Sequence, residues 1–117
     1  MRRLIPLSLL ALVAVPAAHA KSPPKGDYGC TYSTFSGTFY AGTLNIKSKT
    51  KYKVNDKKKG EYTTKRRRIN FKTGDYKKLY YGKWSKVKNV LDDGYSHKIE
   101  LFGKKDDKQK LTCTKSG

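Results

Sequence analysis

The sequence predicts an all-β protein: an antiparallel up-and-down meander of about eight short strands, rolled into a small barrel and closed by one disulfide. Three observations carry that prediction. From Tyr28 onward apolar and polar residues alternate with period two, the pattern of strands that bury one face. Turn-forming residues recur at short intervals between the alternating runs. The two cysteines, Cys30 and Cys113, fall in the first and the last of those runs.

Residues 1–20 read as a cleaved secretory signal. Arg2 and Arg3 precede an apolar stretch from Leu4 to Val15, and Ala18-His19-Ala20 supplies the small-x-small cleavage pattern. That stretch is interrupted by Pro6, ended by Pro16, and shorter than the roughly 20 residues a spanning helix requires. No later segment is apolar enough to span, so the mature chain is expected to have no transmembrane segment. A short signal with an Ala-rich end points to a bacterial periplasmic or secreted protein. Residues 21–26 read as a disordered leader and residues 27–117 as one domain.

Strand 27–34 follows from Tyr28-x-Cys30-x-Tyr32, and Ser36-Gly37 turns the chain into strand 38–47, with Leu44-x-Ile46. Lys47-Ser48-Lys49 leads into strand 50–54 through Tyr52-x-Val54. The polar run from Asn55 to Gly60 precedes strand 60–64. Ile69-x-Phe71 defines strand 67–72, which Thr73-Gly74-Asp75 ends. Strand 77–87 holds Tyr80 and Trp84, and Asp92-Asp93-Gly94 leads into strand 94–102, with Tyr95-x-His97-x-Ile99-x-Leu101. Gly103 through Asp107 turns the chain into strand 109–115, with Leu111-x-Cys113. No window recurs with the 3, 4, 7 spacing of a helix.

Connections this short permit only hairpins. With an even number of strands, closure sets the first and last side by side, so a Cys30–Cys113 bridge fastens the seam and removes exposed edges. The result is a barrel of the lipocalin/avidin-like kind. An odd strand number, or a two-sheet sandwich with the same bridge, is the alternative. The inward side is expected to hold Tyr28, Tyr32, Leu44, Ile46, Tyr52, Val54, Tyr62, Ile69, Phe71, Tyr80, Trp84, Ile99, Leu101 and Leu111, with Lys and Thr outside. Cleavage leaves 97 residues, near the size at which one core is barely sufficient, so a staple is expected. An oxidising compartment favours it, and closing a loop of about 80 residues restricts the unfolded chain by roughly 4–5 kcal/mol.

The motif order resembles that of a family of small secreted or periplasmic bacterial β-barrel-like proteins. The residues that carry the resemblance are Gly26-Asp27-Tyr28-Gly29-Cys30, Gly60-Glu61-Tyr62, Ile69-Asn70-Phe71-Lys72-Thr73-Gly74, Gly82-Lys83-Trp84 and Leu111-Thr112-Cys113. It implies a β-barrel-like domain without implying an activity. A second, local similarity, Ser36-Gly37-x-x-Tyr40, is to periplasmic inhibitors of c-type lysozyme. It lies too early in the chain, and lysozyme is itself cationic.

Charge bounds the function most. Lys and Arg number 27 against nine acidic residues, a formal +18 that falls to +16 once Arg2 and Arg3 leave with the signal. Such a field attracts phosphate- and sulfate-bearing polymers and surfaces by counterion release. The runs expected to contact a polyanion are Lys57-Lys58-Lys59, Lys65-Arg66-Arg67-Arg68, Lys77-Lys78 and Lys83. The first two runs are expected at opposite ends of a hairpin, and the excess of Lys over Arg favours point-charge attraction over bidentate recognition. Catalysis finds little support: His97 is the one mature histidine, on an inward side next to Ile99, while Asp92-Asp93 and Asp106-Asp107 sit in turns, where Asp is common for backbone reasons. No catalytic site, cofactor or metal is expected. The sequence thus predicts a non-enzymatic, monomeric, strongly basic module for anionic envelope components or polyanions, such as lipopolysaccharide or extracellular nucleic acid. The alternatives are a lipocalin-like carrier of a small apolar ligand, and an inhibitory or interaction protein for an acidic partner.

Overall fold

The computed structural model describes residues 22–115, and the signal-like residues 1–20 lie outside them. Eight strands follow in chain order: β1 (Gly26–Thr34), β2 (Gly37–Ile46), β3 (Lys51–Val54), β4 (Lys58–Lys65), β5 (Arg68–Phe71), β6 (Tyr80–Lys88), β7 (Tyr95–Gly103) and β8 (Gln109–Lys115). Each pairs antiparallel with the next and β8 pairs with β1, which closes the barrel. No helix occurs among the described residues. Two boundaries differ from expectation by more than one residue. β4 begins at Lys58, so Lys58 and Lys59 belong to a strand rather than a loop; β6 begins only at Tyr80, because residues 74–79 turn around Tyr76, whose carbonyl accepts from the amides of Leu79 and Tyr80.

The seam is a short ladder running from Tyr28↔Lys115 to Thr31↔Thr112, and Cys30 lies directly opposite Cys113 within it. These two cysteines form the disulfide, with Cα atoms 3.9 Å apart. Part of the stretch read as a leader lies against the barrel: Pro23 is buried, and the Pro24 carbonyl accepts a hydrogen bond from the Tyr28 hydroxyl at 2.8 Å.

The period-two pattern puts Tyr28, Leu44, Ile46, Tyr52, Val54, Tyr62, Ile69, Phe71, Trp84, Ile99 and Leu101 inside with the disulfide. Three inward expectations need correction. Tyr32 is exposed, because β1 has left β8 by that point; Tyr80 and Leu111 are only half-buried, at the margin of the core. Conversely Tyr76, in a loop with no period to announce it, is buried among Tyr52, Phe71 and Tyr80, with ring centroids 5.0–5.8 Å apart. Packing is close where strands cross the rings. A Cβ on Gly60 would lie 2.4 Å from the Tyr52 ring, and one on Gly82 3.2 Å from Ile69.

Buried phenols need partners, and here they find backbone carbonyls instead of solvent. The Tyr52 hydroxyl donates to the Thr73 carbonyl at 2.7 Å and that of Tyr62 to Ser48 at 2.6 Å. Burial pushes the Tyr62 and Tyr76 phenols up to about 12 and that of Tyr28 higher still. They therefore stay protonated at physiological pH and add no negative charge to the interior.

Strand lengths set the outline. β3 and β5 have four residues each, whereas β1, β2, β6 and β7 have nine or ten. The long strands must overhang. β1 has no β8 partner beyond Thr31, and the β2–β3 ladder starts only at Leu44, so residues 32–42 form a two-stranded arm. At the other end of the barrel, β6 beyond Trp84 and β7 before Lys98 pair only with each other, which makes residues 85–97 a second arm. The second arm shares its end with the start of β1, the end of β8 and the turn between β4 and β5; we term this the terminal end. The first arm shares the distal end with loops 55–57, 72–79 and 104–108.

Candidate polyanion interface

The ten basic residues singled out in the sequence fall into three places. Lys57, Lys58, Lys59, Lys77 and Lys78 stand at the distal end, and Lys65, Arg66 and Arg67 at the terminal end, as the hairpin geometry requires. Arg68 and Lys83 face each other across β5 and β6 on the outer wall. There they cap an aromatic pair: the Arg68 guanidinium lies 4.0 Å from the Tyr81 ring centre and the Lys83 ammonium 5.0 Å from that of Phe102, while the two rings stack at 5.4 Å. The Tyr81 hydroxyl donates to Asp107 at 3.0 Å. These two cations thus hold the wall together, each over a ring face.

At the terminal end Arg66 and Arg67 form the whole two-residue turn between Lys65 and Arg68, with φ of 50° and 70°. That left-handed backbone is the usual place for Asn-Gly and costs a non-glycine residue roughly 1–2 kcal/mol. The β3–β4 connection meets the same demand differently, placing Asn55 and Asp56 at φ 53° and 60°, residue types that tolerate it.

Arg67 leans over Trp84 at 4.9 Å, and its carbonyl accepts the Trp84 amide at 2.8 Å. The Trp84 indole N–H points to His97 Nδ1 at 3.5 Å. Burial first, then Lys86, Lys115 and Arg67, lowers the His97 pKa below the ordinary histidine value. His97 is therefore a half-buried residue of the barrel mouth, ringed by cations. Lys86 belongs to the basic stretch that follows Lys83 beside Trp84 in the sequence; Lys115 was not singled out, although a signal existed, since it is two residues beyond the inward Cys113.

At the distal end Lys78, Lys104, Lys105 and Lys110 line a cleft of about 340 Å³ with Leu79 and Tyr80. Asp106 accepts from Lys110 at 2.8 Å and from the Lys108 amide at 3.1 Å, contacts that hold its carboxyl below the usual range. Asp92 likewise accepts from the Asn89 side chain and the Gly94 amide. Both aspartates are thus engaged within their own turns. Salt bridges join Lys51 to Glu61 and Lys110 to Asp106, and neither uses any of the ten predicted residues. Among the described residues no three of His, Cys, Asp and Glu stand close enough to hold a metal ion, and no helix is long and apolar enough to cross a membrane.

Compared with family models, curated proteins and solved structures, the chain matches none of them.

Proposed function

We propose that this is a non-enzymatic secreted or periplasmic module that binds polyanions of the cell envelope through the basic side chains at its two ends. The family resemblance belongs to this reading, as does the cleaved signal that would bring the disulfide into an oxidising compartment. The observation that carries it is the Arg66-Arg67 turn. A backbone that would accept Asn-Gly at lower cost holds two arginines instead, one of which, Arg67, joins Lys86 and Lys115 around His97. Arg67 covers the Trp84 ring, and at Arg66 a local rule broken at a stability cost marks a place where the side chain serves something other than the fold. The carrier alternative has less support, because the barrel interior is filled by tyrosines and aliphatic side chains packed tightly enough to exclude a methyl group at Gly60.

The test is a salt series for binding to heparin and to lipopolysaccharide, on the wild type and on Arg66→Asn/Arg67→Gly. The association constant of the wild type should fall linearly on logarithmic axes, with a slope that reports several displaced counterions. The double variant should gain about 1 kcal/mol in stability while its slope becomes shallower by one to two ions, roughly one per cation removed. Salt-independent binding, or no binding, overturns the proposal.

A further inference from the structure

The tip of the first arm contradicts the rest of the protein. Residues 28–46 contain no Lys, Arg, Asp, Glu or His, in a chain that is 31% charged. The arm nevertheless stands in solvent. Phe35, at the turn, is fully exposed, and Tyr40, Phe39 and Tyr32 are 69%, 43% and 42% exposed. Its polar side chains satisfy one another: Ser33 with Thr38 at 3.1 Å, Thr34 with Ser36 at 2.9 Å, and Tyr40 with Thr43 at 2.6 Å. Tyr32 and Phe39 pack together across the hairpin, ring centres 5.6 Å apart. This is a surface with little need of water and no charge to desolvate.

Cations begin where the arm ends. Where β1 and β8 part, Lys110 borders a cleft with Thr31, Tyr32 and Ser33, and the same lysine lines the neighbouring cleft with Lys78, Lys104 and Lys105. From Thr31 to Phe35 the arm reaches about 14 Å at strand rise. An uncharged aromatic tip thus projects ahead of a lysine collar by about one headgroup layer or more.

We infer that the first arm is a membrane-contacting device, in which Phe35 enters the interfacial layer of an anionic lipid bilayer with Phe39 and Tyr32 next behind it, while Tyr40, opposite Thr31 at the arm's root, stays level with the distal lysines that lie on lipid phosphates. The inference rests on the polyanion reading and names its partner. A bilayer is the partner that presents negative charge and an apolar layer at a fixed offset, as this end of the molecule requires. Aromatic side chains favour that interface. The arm's unpaired strand edges confine it to shallow depth, where water can still reach backbone N–H and C=O groups. A second copy of the chain would bring one strongly positive body against another.

Phe35→Trp tests the inference on full-length mature protein, with the wild type, whose Trp84 is buried, as the fluorescence baseline. The probes are vesicles of phosphatidylcholine with and without phosphatidylglycerol, brominated lipids to report depth, and heparin as a lipid-free polyanion. Expected is a blue shift of the added tryptophan with phosphatidylglycerol vesicles only, quenched by lipids brominated near the headgroup. Val90→Trp, at the other end, should not shift. Phe35→Ser/Phe39→Ser, checked for retained fold by circular dichroism, should weaken vesicle binding about tenfold or more and leave heparin binding unchanged. If the protein binds both heparin and anionic vesicles while position 35 stays unshifted, the arm inference falls and the polyanion reading stands. Binding to neither probe overturns both. A shift without lipid, accompanied by sedimentation as a dimer, assigns the arm to self-association and overturns the membrane contact.

Discussion

The two arms are the same backbone device built with opposite chemistry. Each is a hairpin of long strands, nine or ten residues, beside a neighbour of four, so each overhangs the barrel for the same reason. The first is rooted covalently: Cys30 is bridged to Cys113, the register shifts at Cys30/Thr31, and the Asn55 side chain latches β2 at Thr43 with a 2.9 Å bond. The second is rooted by packing, with buried Trp84 beneath Arg67 and beside His97. Their tips differ as much. The first carries aromatics and no charge, whereas the second exposes Val90 and Leu91 next to Asp92 and Asp93, which repel an anionic surface. Overhang follows from strand length; what an overhang can touch follows from its composition.

The largest effect should come from cutting the covalent root. Replacing both cysteines by serine releases a loop spanning 83 positions, which corresponds to about 4 kcal/mol of lost stability. Urea unfolding measures this, and hydrogen exchange locates it. Amides of β1, β8 and the first arm should lose protection first, while those of β6 and β7 remain slow. Simultaneous loss at both arms would mean that the two roots are one cooperative unit.

Next in size is the packed root. Trp84→Ala removes a side chain that is 4% exposed and should cost about 3 kcal/mol. The exchange pattern should invert, with residues 85–97 opening ahead of the disulfide seam. A cost below about 1 kcal/mol would place Trp84 outside the support of the second arm, since surface-like positions lose no more than that.

How far the sequence foretells this arrangement depends on the kind of signal. Strict alternation in Leu44-x-Ile46, Ile69-x-Phe71 and Ile99-x-Leu101 determines the core, and two cysteines in the outermost strands determine the closure. Tyr76 escapes because its burial comes from a loop folding over the barrel, and loops have no period. Tyr32 misleads because period two reports the face of a strand but not whether a neighbour continues beside it. The arms were within reach nonetheless. Predicted strands 38–47 and 77–87 are about twice as long as 50–54 and 67–72, and the charge-free stretch of residues 28–46 is written in the sequence. The proposed interface was legible as charge and illegible as place, because a run such as Lys65-Arg66-Arg67-Arg68 reads as one patch although the hairpin turns its last member onto the outer wall, over Tyr81.

The smallest effect separates the two ends by pH. His97, the one histidine of the described residues, lies at the terminal end, facing Lys86 of β6, Lys115 of β8 and Arg67 of the β4–β5 turn. Its folded pKa is lowered, so the folded chain resists a proton that the unfolded chain accepts near 6.5. Stability from this group is therefore complete above that value and declines as the pH falls below it. A bound polyanion offsets the three cations and favours protonation, so binding takes up a proton fraction and strengthens in acid. Dextran sulfate, whose sulfates do not titrate in this range, is a suitable probe. At constant ionic strength its affinity should rise about threefold between pH 7.5 and 5.5. His97→Asn should abolish the rise, and Lys78→Gln at the distal end should leave it intact while weakening binding at every pH. A rise that survives His97→Asn would move the pH response, and with it the polyanion contact, away from the terminal end.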